Sequence, residues 1–292
     1  MKRASQTAEG VAALRYMSTQ EPDPLIRGND ELALRFLGIK YRVLTMPLRR
    51  LSRRIYAQRV PGTYEWILAR NKHLDRQFLG CVESGFRQVV ILGAGYDTRP
   101  VRFQQAISRA GTRVYELDQQ TTQRRKIMCL GALRIPQVTF IPIDFESTGL
   151  EEVLTPDVFD ATQPTLFVWE GVSMYLTERA VRAVFAAIGP IAAPGSRLLF
   201  DYCLRHVIER TNLPYGAAEI LEFTSKRGEP MQWGSEPDEL ADFVAQFGFR
   251  VVEQWGPDAL ERLHLTDHDG RLAGRIGRYQ HIAELERVQV VV

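Results

Sequence analysis

The chain has 292 residues, of which 45% are hydrophobic and 25% are charged, and this composition predicts a folded protein with an apolar core. Its 37 basic and 35 acidic residues give a formal net charge of +2, which excludes the strongly basic character typical of nucleic-acid-binding proteins. No apolar run reaches the ~20 residues of a membrane span. From the charge balance and the absence of such a run, we predict neither nucleic acid nor a membrane as a partner.

The predicted elements fall into two regions. The first part of the chain shows helical patterns that are broken near Gly38, Pro47 and Pro61. We therefore predict an N-terminal helical cap over residues 1–85 and a core over residues 86–292.

From residue 88 onward, short apolar runs alternate with amphipathic stretches. Runs such as VVIL (89–92) lack polar alternation, which is typical of strands covered on both faces in a parallel sheet. Helices are predicted over residues 178–191 and 237–247. This alternation predicts an α/β fold with a doubly wound, mostly parallel sheet of seven strands, in which the last strand is reversed if it inserts beside the sixth. The predicted strands span residues 88–92, 113–117, 138–143, 165–169, 197–203, 249–254 and 278–285.

One connection of the predicted core is unusually long. Residues 204–236 separate the fifth strand from the sixth, and long connections in α/β domains commonly carry function. We predict that this insert is a substrate lid.

A glycine-rich loop follows the first predicted strand. Gly93, Ala94 and Gly95 give a tight turn that lets backbone N–H groups approach a ligand. Thr98 stands where a dinucleotide fingerprint has its third glycine, which favours a ligand with an amino-acid carboxylate and ammonium over a pyrophosphate. Asp97 is a candidate contact for such an ammonium.

Acidic residues end the next predicted strands. Asp118 ends the second strand, where a carboxylate can accept two hydrogen bonds from ribose hydroxyls, and Glu116 is a second candidate. Asp144 and Phe145 end the third run, where an acid and an aromatic ring suit adenine. Glu170 follows the fourth strand and is a candidate contact for an ammonium or a sulfonium.

Several blocks of the sequence resemble the leucine carboxyl methyltransferase family, which comprises class I S-adenosylmethionine-dependent methyltransferases with a Rossmann-like fold. The resemblance runs from about residue 60 to the end. The blocks are GAGYDTR (93–99), VYELDQ (114–119), PIDFE (142–146) and WEGVSMYL (169–176), together with RNKHLDRQF (70–78).

The resemblance implies S-adenosylmethionine as the cofactor and a role for each matching residue. Arg70 and the Gly93–Gly95 loop take the methionine end, and Asp118 takes the ribose. Asp144 and Phe145 take the adenine, and Glu170 takes the methionine ammonium or forms the floor of the cleft.

The family includes enzymes that methylate the C-terminal carboxylate of a protein phosphatase, and bacterial enzymes that act on small molecules, some of them polyketide O-methyltransferases. We predict an O-methyltransferase that acts on a carboxylate or hydroxyl of a small molecule in natural-product biosynthesis. Methylation of a protein C-terminus is an alternative, and a non-catalytic binding protein is another. A nicotinamide-dependent oxidoreductase is disfavoured, because Thr98 replaces a needed glycine and the only lysines after residue 80 are Lys126 and Lys226.

A hydroxyl acceptor gains from a general base, whereas a carboxylate is already ionised at neutral pH. His206, Tyr175 and Tyr202 are the candidate catalytic residues, and each has an ordinary structural role as its alternative. The cysteines (Cys81, Cys129, Cys203) are widely spaced, which argues against disulfides and a metal site and predicts a cytoplasmic protein. A homodimer is left open.

Overall fold

The computed structural model describes residues 6–39, 41–42, 55–145 and 147–289. Its centre is a seven-stranded sheet with the order β3-β2-β1-β4-β5-β7-β6, in which β7 runs antiparallel to both neighbours. The prediction of a seven-stranded, mostly parallel sheet is therefore confirmed, including the reversed last strand. The strands are β1 (Gln88–Leu92), β2 (Arg113–Asp118), β3 (Val138–Pro142), β4 (Thr165–Trp169), β5 (Arg197–Cys203), β6 (Phe249–Trp255) and β7 (Gln280–Arg287).

The strand order reverses between β1 and β4, because β1 pairs with β2 on one side and with β4 on the other. Chain connections leave the sheet in opposite directions at such a point and open a crevice at the carboxyl ends of the strands. All five residues of β1 and all five of β4 are buried, as their unbroken apolar sequences predict.

Helices cover both faces of the sheet. The helix predicted over residues 178–191 is confirmed, whereas the one predicted over 237–247 spans only Leu240–Ala245, because residues 237–239 and 246–248 form turns. The main α-helices of the described residues are α1 (Gln6–Ser18), α2 (Thr63–Glu83), α3 (Arg99–Arg102), α4 (Gln104–Ala110), α5 (Gln120–Leu130), α6 (Leu150–Val153), α7 (Glu178–Ile191), α8 (Arg205–Ile208), α9 (Ala217–Ser225), α10 (Leu240–Ala245) and α11 (Pro257–His264).

The side chains of β4 alternate between two hydrophobic clusters. Phe167 and Trp169 point to the face that α7 covers, and Leu166 and Val168 point to the face that α2 covers. The N-terminal helices therefore pack directly on the sheet. The division into a cap over residues 1–85 and a core stays a prediction, and residues 1–5, 40 and 43–54 of that cap lie outside the described residues.

The insert of residues 204–236 contains α8 and α9 and returns to the sheet at its end. The carbonyl oxygen of Met174 accepts hydrogen bonds from the backbone N–H groups of Gln232 and Trp233, at 2.7 and 3.3 Å. Gly234 forms a bridge with Cys203, the last residue of β5. The insert therefore lies against the carboxyl ends of β4 and β5, and its role as a lid stays a prediction. Across the described ranges, no helix is both long enough and apolar enough to cross a membrane.

Candidate functional site

The loop after β1 has the open backbone that its glycines predict. Gly93 and Gly95 have φ values of 65° and 47°, in the left-handed region that favours glycine. A Cβ on Gly93 would lie 2.8 Å from the Cγ2 atom of Val172, whereas a Cβ on Gly95 would meet nothing closer than 3.8 Å. The N–H group of Ala94 donates to the carbonyl oxygen of Leu117 at 3.0 Å and ties the loop to β2. The backbone at Gly95 is therefore accessible to a ligand.

Asp118 joins this loop to the end of β2. Its Oδ1 atom accepts a hydrogen bond from the N–H group of Gln119 at 2.6 Å, and its Oδ2 atom accepts one from the N–H group of Gly95. Burial raises the pKa of Asp118, and these two hydrogen bonds oppose that rise. Each carboxylate oxygen keeps further acceptor capacity, so the side chain can still bind hydroxyl groups.

Glu116 occupies a different environment from Asp118 although both lie on the same face of β2. Its Oε2 atom is 2.5 Å from the Nζ atom of Lys126, and both side chains are almost fully buried. Burial raises the pKa of Glu116 to about 7, and the charge of Lys126 opposes that rise. Of the two predicted ribose contacts, Asp118 therefore keeps more free acceptor capacity than Glu116.

A cavity of about 400 Å³ opens beside Asp118, at the carboxyl ends of β2 and β3. Asp144 contributes to its wall, whereas Phe145 is half-buried against the large hydrophobic cluster. The cavity is thus bordered by the segments that follow β2 and β3, two of the strand ends that the sequence singled out. The lining residues are Gln119, Gln120, Thr121, Pro142, Ile143, Asp144 and Thr148.

Arg70, on α2, reaches across to the ends of β4 and β5. Its Nη1 atom is 2.5 Å from Oδ2 of Asp201, and its Nε atom is 3.0 Å from Oε1 of Glu170. The Oδ1 atom of Asp201 accepts a hydrogen bond from the N–H group of Gly171 at 2.6 Å. Gly171 has a φ of 68°, in the left-handed region that favours glycine, and a Cβ on it would lie 3.3 Å from Nη1 of Arg70, so a side chain here would be strained and would crowd the guanidinium.

Arg99, the first residue of α3, binds three carboxylates and is fully buried. Its Nε atom is 2.9 Å from Asp75, its Nη1 atom is 2.6 Å from Asp97, and its Nη2 atom is 2.7 Å from Glu170. Asp97 also accepts from the N–H group of Arg99 at 2.7 Å. The carboxylate of Asp97, a predicted ammonium contact, is thus occupied by Arg99 at both oxygens.

Glu170 lies between the two arginines and is largely buried, with 13% of its side chain exposed. Burial disfavours its charged form, but the charges of Arg99 and Arg70 outweigh burial and lower its pKa to about 2. Of the two roles implied for Glu170, the ion pairs fit the floor of a cleft better than a free ammonium ligand.

Thr98, which stands where a dinucleotide fingerprint has its third glycine, is hydrogen-bonded in the interior. Its hydroxyl donates to Oδ1 of Asp30 at 2.7 Å and accepts from Nε of Arg102 at 2.7 Å. Arg15, on α1, lies 3.3 Å from Asp30 and donates to the carbonyl oxygen of Tyr96 at 2.6 Å. Thr98 is therefore a polar anchor that fastens the loop to the N-terminal segment.

The candidate base His206 is oriented by a carboxylate. Oε1 of Glu236 lies 2.9 Å from Nδ1 of His206 and accepts from its backbone N–H group at 2.8 Å. About a third of each side chain is exposed. When Nδ1 carries the proton, Nε2 is left as the acceptor, which is the form that a general base requires.

The two candidate tyrosines have different surroundings. Tyr175 is half-buried and lies within electrostatic range of Arg70; burial raises its phenol pKa, and the charge of Arg70 opposes that rise. Tyr202 is fully buried, its ring stacks on His281, and its hydroxyl donates to Gln254. Tyr202 therefore has the interior, hydrogen-bonded role that was its structural alternative.

Sequence reasoning missed three residues of the site: Asp75, Arg99 and Asp201. Arg99 stood inside the quoted GAGYDTR block, and Asp201 is a single acid within the apolar run of β5, which is the signal that could have identified it. Asp75 likewise stood inside the RNKHLDRQF block (70–78), but nothing in that helical pattern distinguishes it from its neighbours.

Comparison with known proteins agrees with this architecture. Residues 8–189 match the family model described as leucine carboxyl methyltransferase. A Mycobacterium marinum protein assigned to the S-adenosyl-L-methionine-dependent methyltransferases is 30% identical over 277 residues, which cover 88% of this chain and 86% of the relative. A Frankia alni protein with the same assignment is 31% identical over 258 residues, which cover 83% of this chain and 86% of that protein.

The fold also matches a solved structure. The crystal structure of a Thermobifida fusca protein assigned as a methyltransferase has a TM-score of 0.60 and 19% identity, and the match covers 95% of this chain and 94% of that chain. The family model matches more than half of the sequence, and the predicted resemblance is confirmed. This chain belongs to the leucine carboxyl methyltransferase family.

Proposed function

We propose that this protein is an S-adenosylmethionine-dependent O-methyltransferase that acts on a carboxylate or hydroxyl of a small molecule, in natural-product biosynthesis. The observation that carries the proposal is the hydrogen bond from the N–H group of Gly95 to the carboxylate of Asp118. This contact joins the glycine loop and the acid of β2 into one surface, with the cavity of about 400 Å³ on one side. Both relatives described above are assigned as methyltransferases that use the same methyl donor.

The residues present fit the parts of the donor. Asp118 takes the ribose hydroxyls, and Asp144 and Phe145 take the adenine at the cavity. The open backbone at Gly95 accommodates the methionine end of the nucleoside, because a Cβ there would meet no described atom closer than 3.8 Å. Asp201 and Glu170 occupy Nη1 and Nε of Arg70, and no described residue accepts from Nη2, which leaves this group for the amino-acid carboxylate. The bound donor supplies an electrophilic methyl group.

Tyr175 lies in the segment after β4 and His206 in the helix after β5, and both side chains are suited to act on an oxygen nucleophile. The hydroxyl of Tyr175 is protonated at neutral pH, as in any phenol, and burial raises its pKa further, so it can donate a hydrogen bond to an acceptor oxygen. His206, held by Glu236, removes the proton from a hydroxyl acceptor. A carboxylate acceptor needs no base, and positioning and removal of water then provide the catalysis.

Isothermal titration calorimetry tests the donor. We expect S-adenosylhomocysteine to bind and NAD to give no heat, because Thr98 and its buried partners fill the place where a pyrophosphate needs a third glycine. Binding of NAD with no response to S-adenosylhomocysteine contradicts the proposal.

Methyl-labelled S-adenosylmethionine tests the acceptor. The enzyme is incubated with panels of small carboxylic acids and phenols, and labelled products are treated with mild alkali. Methyl esters release labelled methanol, whereas methyl ethers keep the label. His206→Asn should slow transfer to phenols and leave transfer to carboxylates unchanged. Products labelled only on nitrogen or carbon contradict O-methylation.

A further inference from the structure

Asp201 is the most completely buried acid around Arg70, and its carboxylate makes two different contacts. One oxygen lies 2.5 Å from Nη1 of Arg70, and the other accepts from the N–H group of Gly171 at 2.6 Å. Its side chain has no exposed surface, so it has no direct access to a ligand. Any effect of Asp201 on binding must therefore act through the groups that it holds.

Those groups come from separate elements that meet at the end of β4. Arg70 is on α2, Gly171 begins the turn after β4, and Asp201 is on β5. The hydroxyl of Ser173, in the same turn, donates to the backbone carbonyl oxygen of Asp201 at 2.5 Å. Asp201 thus holds the guanidinium of Arg70 and the turn after β4 in a fixed position relative to each other.

We propose that Asp201 is the positioning residue for the amino-acid end of the methyl donor: it orients Arg70 so that the remaining guanidinium N–H groups face the donor carboxylate. This inference rests on the proposed function, because it takes Arg70 as the carboxylate contact. Removal of the Asp201 charge leaves Arg70 paired with Glu170 alone, and the guanidinium can then rotate toward that partner. Binding of the amino-acid end is lost, while binding of the nucleoside end is kept.

The test compares two ligands by calorimetry. S-adenosylhomocysteine carries the amino-acid end, and 5′-methylthioadenosine has the same nucleoside without it. Asp201→Asn keeps the size of the side chain and an acceptor for Gly171. We expect it to weaken S-adenosylhomocysteine about tenfold or more, as for the loss of a charge-assisted hydrogen bond, and to leave 5′-methylthioadenosine unchanged.

A double mutant shows whether Asp201 affects binding of S-adenosylhomocysteine through Arg70 or by another route. The combination Arg70→Gln with Asp201→Asn should bind S-adenosylhomocysteine no more weakly than Arg70→Gln alone, because Asp201 has nothing left to position. Where Asp201→Asn does not fold, as judged by thermal melting, Asp201→Glu is used for the same comparison, since it keeps the charge but displaces it.

Glu261→Gln is the matched control. Glu261 is also a buried acid that accepts from an arginine and from a backbone N–H group: Arg278 at 2.9 Å and Ile276 at 2.6 Å. This substitution should change the melting temperature and neither affinity. Equal weakening of both ligands by Asp201→Asn, unchanged affinity for S-adenosylhomocysteine, or additive effects in the double mutant overturn the inference. A native protein that binds neither ligand contradicts the proposed function itself.

Discussion

His73, on α2, and His264, at the end of α11, face each other in the interior with 3.1 Å between Nδ1 of the first and Nε2 of the second. Both side chains are buried, and His73 also contacts the ring of Trp255, with 4.2 Å between centroids. Burial lowers the pKa of His73 to about 4 and that of His264 to about 3. The pair is therefore neutral in the folded protein at neutral pH.

This pair predicts an acid-sensitive fold. The folded-state pKa values lie below the ordinary histidine value, so the contribution of the neutral pair to stability is complete above about pH 6.5 and is lost as the pH falls to about 4 for His73 and about 3 for His264. Each histidine should lower the free energy of unfolding by about 1.4 kcal/mol per pH unit across this range. Urea unfolding at several pH values measures the slope. The double substitution His73→Gln with His264→Gln should flatten it, and removal of the exposed His268 should not.

The buried pair of Glu116 and Lys126 predicts a strongly asymmetric response to mutation. Lys126→Met leaves an unpaired acid in the interior and should cost about 3–5 kcal/mol in the free energy of unfolding. The double substitution Glu116→Leu with Lys126→Met removes both charges and should recover most of that loss. Chemical denaturation of the two variants provides the measurement, and equal destabilisation would show that the pairing of the charges is not what matters.

Thr98 gives a test of the anchored loop. Thr98→Val keeps the shape of the side chain but deprives Asp30 and Arg102 of a hydroxyl partner in the interior, which should cost about 1–3 kcal/mol. Thr98→Ser keeps the hydroxyl and should cost less. Thermal unfolding of both variants checks the order, and a valine variant as stable as the serine variant contradicts the anchoring role.

Gly95 gives a test of ligand approach. Gly95→Ala adds a Cβ that makes only ordinary contact, 3.8 Å from the carbonyl oxygen of Gly93, at a left-handed φ of 47°, so we expect a folded protein destabilised by about 1–2 kcal/mol. Its affinity for S-adenosylhomocysteine should fall because the new methyl group occupies the side where the ligand approaches. Gly195→Ala is the control: Gly195 has a φ of 83°, and a Cβ added there would meet no atom within 4 Å among the described residues, so it shares the backbone cost of a left-handed alanine. Equal affinities in the two variants would contradict the placement of the ligand.

Local patterns predicted the elements best. The helix predicted over residues 178–191 is α7, and the side chain of Thr177 caps its first turn by accepting from the N–H group of Ala180 at 3.3 Å. The prediction for α10 was too long by five residues, since 237–247 has eleven residues and the helix has six. The carbonyl oxygen of Pro237 accepts from the side chain of Gln254, and no local pattern reveals that contact.

The candidate site also contains residues that a local pattern marks and partners that only the folded chain brings together. Asp118, Asp144 and Glu170 could be predicted because each directly follows or ends an apolar run. The partners of Arg70 could not, because Asp201 lies 131 residues away and meets it only after the sheet has formed. Ion pairs across such separations depend on topology, which periodicity does not specify.

The position of the reversed strand β7 also determines which strands a C-terminally shortened chain would lose from the sheet. Within the described residues, β6 pairs only with β7, and β7 alone connects it to β5. A chain that stopped before Gln280 would therefore detach two strands, not one, and would expose the buried edge of β5. Because β6 precedes β7 in the chain, its native strand partner is synthesised after it, and the native edge of the sheet can be completed only once β7 is available.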